Sequence, residues 1–193
     1  MKRYLLLASR PVVILIAADT QVTQTSGTNF LGSAETNSQQ MIQQGRQIFR
    51  FDTFGDEAFW GDQLRLHETV NKLPPSAALQ LGLKVDSDAL PPAVVQAIKN
   101  GSVNLNDPAV TRLLVKLNAV LGVVGFFKPD GTLRSVGLTC AVCHSTVDDS
   151  LAPGIGHRID GVANRDLNVG AIAASVPNLQ PVVTRLKVQP GVN

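Results

Sequence analysis

The stretch TCAVCHST, residues 139–146, contains the only two cysteines of a 193-residue chain, and a histidine directly follows the second. Two cysteines at this spacing are compatible with a zinc ligand pair, a redox dithiol, a disulfide or a covalently attached cofactor. A zinc site requires about four thiolate or imidazole ligands. The chain has no second cysteine pair, and His67 and His157 are not spaced as a ligand pair. A thioredoxin-like motif would follow a strand in a βαβ unit, which this segment does not predict.

The adjacent histidine favours covalent attachment of haem. C-x-x-C-H is the attachment pattern of c-type haem. On a helical turn, positions i, i+3 and i+4 share one face. Cys140 and Cys143 can therefore form thioethers with the two haem vinyl groups, while His144 binds the iron. The sequence predicts one haem c held by these three residues; a disulfide is compatible with the two cysteines but does not account for the histidine.

The N-terminal residues have the pattern of an export signal. Residues 1–18 combine the basic residues Lys2, Arg3 and Arg10 with the short apolar run PVVILIAA. This pattern is typical of secretory signals, and a disordered apolar tail or an uncleaved anchor are the alternatives. Residues 19–37 are polar and lack periodicity, which predicts a flexible leader. We therefore expect a periplasmic or otherwise exported protein, and no membrane span in its mature form, because no run of about 18 apolar residues exists.

Residues 38–193 are expected to form a single, mainly α domain with long loops. SQQMIQQGRQIFR, residues 38–50, places its apolar residues on one helical stripe. Gly45 lies in that stripe, where a second helix crossing closely over it, or simple tolerance of a weak residue, would explain it. Asp107 before a proline indicates the start of a buried helix, PAVTRLLVKLNAVLG. No strand alternation is evident, and KPDG, residues 128–131, indicates a turn.

The chain resembles class I c-type cytochromes at three places. Gly45 and Phe49 match the glycine and aromatic residue of that family's opening helix, the C-x-x-C-H motif matches its attachment site, and residues 159–165, IDGVANR, match its L-x-G-L-x-x-R segment. The resemblance implies a cytochrome c-like helical fold in which Arg165 lies near a haem propionate; a solvated surface arginine is the alternative. It also implies a helical insert at about residues 51–130, similar to the elaborated cytochromes related to bacterial di-haem cytochrome c peroxidases.

The second axial ligand of the iron is not evident from the sequence. The family draws a methionine from downstream of its motif, and no methionine follows His144 here. His67, on a helix of the insert, is a candidate distal ligand, with a surface histidine as the alternative. The tail contains Pro181 and Pro190 and predicts only a short helix instead of the family's closing helix. We therefore expect the domain to be incomplete at residue 193.

Two functions in particular follow from these observations. The first is an electron carrier that exchanges single electrons with redox partner proteins. The alternative is a haem oxidoreductase, similar to the peroxidases, whose second haem or distal ligand lies beyond this chain. A disulfide or metal module without haem is a third reading. A net charge of +2 is too small to predict a nucleic-acid or anionic membrane partner.

Overall fold

The computed structural model describes residues 26–187. The predicted export signal, and the predicted leader up to residue 25, lie outside the described residues. The chain divides into two compact units, Met1–Met41 and Ile42–Asn193. The C-x-x-C-H motif and the core around it belong to the second unit.

The first helix, α1, spans Ser26–Phe51 and begins well before residue 38, where the sequence predicts its start. Residues 26–37 are therefore helical, which corrects the predicted flexible leader over that range. The hydroxyls of Thr36 and Ser38 each donate to the carbonyl oxygen four residues earlier, at 2.9 Å. These bonds satisfy the two hydroxyls within the helix.

The apolar stripe of α1 is largely exposed. Ile42 and Ile48 keep 53% and 48% of their surface accessible. No atom of the described residues lies within 4 Å of the position that a Cβ on Gly45 would take. The crossing helix that the sequence predicts over Gly45 is therefore absent from the described part of the chain.

The remaining helices are short, and prolines begin several of them. They are α2 (Leu66–Val70), α3 (Pro75–Gln80), α4 (Pro92–Lys99), α5 (Pro108–Lys116), α6 (Ala141–His144), α7 (Val169–Ala174) and α8 (Gln180–Leu186), with a π-helical turn at Ala58–Gln63 and a 3₁₀ turn at Ser87–Ala89. A proline in the first turn costs no hydrogen bond and presets the helical φ. The carboxylate of Asp107 accepts a hydrogen bond from the N–H of Ala109 at 2.8 Å and caps α5, so the predicted start of this helix is confirmed.

The predicted apolar helix, residues 108–122, is shorter than expected, and a β-hairpin follows it. α5 ends at Lys116, and β2 (Val123–Phe127) pairs antiparallel with β3 (Leu133–Leu138). The KPDG turn lies between them, as predicted, whereas the expectation of no strands is wrong. Gly122, which immediately precedes β2, has a φ of +70°. The other strands are two or three residues long: β1 (Val85–Asp86) is parallel to β5 (Ile155–Gly156), and β4 (Ser145–Val147) is antiparallel to β6 (Arg158–Asp160).

The predicted insert and the segment after the motif share one hydrophobic core. Its buried residues come from both parts and include Leu64, Leu66, Val85, Leu114, Val115, Ala119, Leu133, Val136 and Ile155. The insert is therefore integral to the fold of the second unit. Helices account for 48% of the structure and strands for 15%, so the fold is mainly α with small sheets. Within residues 26–187, no helix combines the length and apolar character that a membrane span requires.

Candidate functional site

The C-x-x-C-H motif occupies one helical turn. Cys140 is the N-cap of α6 and His144 is its last residue, whose N–H donates to the Cys140 carbonyl at 3.1 Å. The hydroxyl of Thr139 accepts a hydrogen bond from the N–H of Ala141 at 3.3 Å. Both cysteines are exposed free thiols, and His144 is also exposed. One short helix therefore presents Cys140, Cys143 and His144 together, as the spacing predicts.

The loop after β6 holds the other end of α6. The N–H of Gly161 donates to the carbonyl of His144 at 2.8 Å, and the N–H of Asn164 donates to the carbonyl of Cys143 at 2.9 Å. The side-chain amide of Asn164 also donates to the carbonyl of Val142 at 3.4 Å. The last carbonyls of a helix have no partner within the helix. These bonds therefore satisfy the end of α6 and fix its position.

A large apolar cavity adjoins α6. About 200 Å³ of it is open to the centre of a water molecule, more than ten times the roughly 10–15 Å³ that one water requires. The surface facing the cavity is apolar. Its wall includes Trp60, Leu66, Val70, Leu73, Ala78, Leu79, Leu81, Leu83, Val85, Leu114, Val115, Val120, Val123, Leu138, Val142, Cys143, Leu167, Val169 and Ile172.

Cys143 lies in the wall of this apolar cavity. Apolar pockets with few polar groups are typical of cofactor sites. Two thiols and an imidazole on one turn are the donor set of c-type haem. The residues present therefore fit a covalently attached haem.

Most of the cavity wall belongs to the insert, whose contribution the sequence does not reveal. A hydrogen bond and an ion pair join the insert to the loop after the motif. The Asn164 amide donates to the carbonyl of Gly82 at 2.9 Å, and the ammonium of Lys84 contacts the carboxylate of Asp166 at 2.5 Å. Gly82 has a φ of +81°, and a Cβ there would lie 2.0 Å from the carbonyl oxygen of Asp166. The close approach of these two segments therefore requires glycine, and it closes one side of the cavity.

Asp160 is the centre of an ion-pair cluster beside α6. Its carboxylate accepts hydrogen bonds from Arg50 Nε at 2.7 Å, from Arg158 Nε at 2.6 Å and from the Ser145 hydroxyl at 2.8 Å. Burial opposes the charge, but these donors outweigh it and hold the pKa of Asp160 below its usual value. Arg158 has 4% of its side chain exposed, and its Nη2 has no hydrogen-bond partner among the described residues. The sequence does not predict this cluster, because Arg50 lies 110 residues from Asp160.

Arg165 and His67 occupy different positions relative to the cavity. Arg165 is exposed and forms no hydrogen bond or ion pair with a described residue. Leu167 and Val169, two and four residues later, belong to the wall. His67 is half-buried on α2, and its Nδ1 is buried without a hydrogen-bond partner within the described part of the chain. Its neighbour Leu66 belongs to the wall but His67 does not.

The remaining histidine, His157, is engaged elsewhere. Its Nδ1 lies 2.8 Å from the carboxylate of Asp88. This hydrogen bond, with the negative charges of Asp88 and Asp148, raises the pKa of His157 above its ordinary value. The structure thus brings together Cys140, Cys143 and His144 on α6. Of these three residues only Cys143 belongs to the cavity wall, and none of the three histidines does.

Among the residues from 26 to 187, no group of three or more His, Cys, Asp or Glu side chains is placed to hold a metal ion. A haem iron needs only one or two protein ligands. No model of a known protein family matches the chain, and no curated protein or solved structure matches it. Function is therefore inferred from the residues of the site.

Proposed function

We propose that this protein is an exported c-type cytochrome that binds one haem covalently and transfers single electrons. Cys140 and Cys143 form the two thioethers, and His144 provides an axial imidazole. The observation that carries the proposal is that Cys143, within a C-x-x-C-H turn, lies in the wall of a large apolar cavity. A disulfide or a redox dithiol would need no such cavity beside the thiols.

The residues of the chain would bind the cofactor, exclude water and tune its potential. Bound haem supplies reversible one-electron transfer, with a potential that depends on burial, hydrogen bonding and axial ligation. The aliphatic wall excludes water from the cofactor. Thr139 and Asn164 hold the two ends of the turn that presents the ligands. Arg165, exposed on the loop that leads into the wall, is the partner for a propionate carboxylate.

An electron carrier requires redox partner proteins that approach its cofactor closely. The exposure of α6 supports such an approach, because Cys140 and His144 both reach the surface. The signal-like pattern of residues 1–18 supports export, to the periplasm or beyond the cell. Nucleic acid is not among the proposed partners, since a net charge of +2 provides no strong attractive field.

Covalent haem is the decisive test. The chain is produced in bacteria with a periplasmic cytochrome maturation system, and haem is quantified by the pyridine haemochrome spectrum and by haem staining after denaturing electrophoresis. One haem per chain with two saturated vinyl groups supports the proposal. Cys143→Ser is expected to leave at most one thioether, and the double change with Cys140→Ser none. A folded chain without haem, in cells that mature a control cytochrome, would overturn it.

The second candidate is a haem oxidoreductase, peroxidase-like. The observation that favours it is the composition of the wall: apart from Cys143, its described residues contain no thiol, thioether or imidazole. His67 is the candidate distal ligand if the carrier is six-coordinate, although its side chain does not line the cavity in this structure. A low-spin reduced spectrum that becomes high-spin in His67→Ala supports the carrier. A high-spin spectrum that responds to peroxide in the unaltered chain supports the oxidoreductase.

A further inference from the structure

Arg50, in the last turn of α1, forms hydrogen bonds with Thr139 and Asp160, which lie beside the two ends of the motif helix α6. On one side, the carbonyl oxygen of Arg50 accepts a hydrogen bond from the hydroxyl of Thr139 at 3.1 Å. On the other, Arg50 Nε and Nη2 lie 2.7 and 2.6 Å from the carboxylate of Asp160. Thr139 immediately precedes α6, and Asp160 pairs with the strand that immediately follows it.

At the N-terminal end, the contact uses both hydrogen-bonding functions of one hydroxyl. Thr139 Oγ1 accepts from the N–H of Ala141, in the first turn of α6, and donates to the carbonyl of Arg50. Thr139 is buried, so its hydroxyl has no ready access to water. Its orientation, and with it the start of α6, is therefore set by the position of α1.

At the C-terminal end, the contact runs through Asp160. One carboxylate oxygen receives Arg50, and the other receives the hydroxyl of Ser145, the residue after His144. The next residue, Gly161, donates its N–H to the carbonyl of His144 at 2.8 Å. Two neighbours of His144 are thus tied to Asp160: Ser145 by a hydrogen bond, and Gly161 as the next residue in the chain. Asp160 is itself hydrogen-bonded to Arg50.

We infer that Arg50 is a positioning residue of the motif helix: it fixes the backbone from which the two thiols and the imidazole project. A helix of four residues has no stability of its own, because nucleating a single turn is unfavourable. Its geometry must come from contacts outside it. A guanidinium directs its donors in a fixed fork, which a lysine ammonium does not reproduce. As a statement about haem ligation this inference rests on the proposed function, but the fixing of α6 does not.

The experiment compares Arg50→Ala and Arg50→Lys with Arg46→Ala in the full chain, produced with and without cytochrome maturation. Arg46 lies one turn earlier on α1, and its side chain bonds, among residues 26–187, only to Gln43, so it is the matched control. Hydrogen exchange is followed at the amides of His144, Gly161 and Asn164, because these amides bond to carbonyls of the motif turn. Their exchange rates measure how firmly α6 is held in place. The amides of the β2–β3 hairpin report whether the fold is intact.

In the chain without haem, Arg50→Ala is expected to speed exchange at these three amides about tenfold or more, with the hairpin amides unchanged. Arg50→Lys should give an intermediate increase, and Arg46→Ala none. If Arg50→Ala also speeds exchange at the hairpin amides, its fold is disturbed. The test then rests on Arg50→Lys, compared at the amides of His144, Gly161 and Asn164. Equal exchange in Arg50→Lys and the unaltered chain, or an equal increase in Arg46→Ala, would overturn the inference. In the matured chain, Arg50→Ala should also lower haem content, whereas absence of haem in every variant would count against the proposed function alone.

Discussion

The backbone N–H of Asn164 donates a hydrogen bond to the carbonyl oxygen of Cys143 at 2.9 Å, across 21 residues of sequence (164 − 143). The side-chain amide of the same asparagine donates to the carbonyl of Gly82 at 2.9 Å, in the insert. One residue thereby joins the thiol-bearing turn to the opposite part of the cavity wall. The attachment turn and the insert consequently form one structural unit, although the sequence separates them widely.

Asn164→Asp is expected to destabilise the chain by about 1–3 kcal/mol, because a carboxylate cannot donate to the carbonyls of Gly82 and Val142. The same change should increase the alkylation rate of Cys143 in the reduced chain without haem, since the end of α6 loses a contact. Chemical unfolding and timed alkylation measure the two effects. Asn178→Asp, which removes a single side-chain bond to the carbonyl of Gln63, is the control and should cost about 1 kcal/mol or less. Equal effects of the two changes would contradict this interpretation.

Gly122 is expected to be essential for the close packing of the hairpin against α6. Its φ is +70°, and a Cβ there would lie 2.0 Å from the backbone nitrogen of Val142. Gly101 has the same φ, but no described atom lies near its Cβ position. Gly101→Ala should therefore cost only the left-handed strain, about 1–2 kcal/mol.

Gly122→Ala carries the same strain and also a collision with backbone, so it should cost at least about 2 kcal/mol more than Gly101→Ala. Thermal and denaturant unfolding of the two variants give the comparison directly. Similar stabilities would show that α6 moves aside at little cost, contrary to the fixed position described for it.

The parts of this fold that the sequence predicts are those with local causes. The proline at the start of α4 and the Asp107 cap of α5 act within a few residues, so both helix starts could be predicted. The strand β2 could not, because its apolar residues continue those of α5 and periodicity does not separate the two. Residues 123–127 form a strand because they pair with β3, whose residues lie further along the chain.

The candidate site also has a local part that the sequence predicts and a long-range part that it does not. The spacing of Cys140, Cys143 and His144 predicts a shared helical turn, because that geometry is local. The partners that hold this turn are distant: Arg50 precedes Thr139 by 89 residues and Asp160 by 110. No periodicity connects such residues, and their polar character alone predicts only a solvated surface. The apolar cavity is likewise assembled from segments whose hydrophobic residues individually predict nothing more than a core.

The stability that Asp160 contributes is expected to depend on acid pH. Its folded-state pKa is lowered, so its contribution is fully present above the ordinary carboxyl pKa of 3.8 and is lost as pH falls through the folded value. Asp160→Asn should cost about 1–2 kcal/mol at neutral pH, since two arginines and Ser145 lose a charged acceptor. That difference from the unaltered chain should shrink below about pH 4, as the native carboxylate takes up a proton.

Denaturant unfolding at several pH values between neutral and about 2.5 tests this expectation. Asp62→Asn is the control, because Asp62 is 58% exposed and lies 3.8 Å from Arg134, a geometry that contributes little. A penalty for Asp160→Asn that stays constant down to the lowest pH would show that the lost stability is steric and not ionic.

The cavity is expected to accept the cofactor only while its apolar wall stays open. Ala78, on α3, is 8% exposed and lines the cavity, whereas its neighbour Ala77 does not. Ala78→Phe should fill part of this space and reduce covalent haem to less than about a tenth of the unaltered level, at a cost in stability of about 1–3 kcal/mol. Ala77→Phe is the control and should retain haem.

Trp60, the only tryptophan, also lines the cavity. Its fluorescence should be strongly quenched in haem-loaded chains and bright in Ala78→Phe. Full haem loading in Ala78→Phe would contradict the expectation that the cofactor occupies the space beside Ala78.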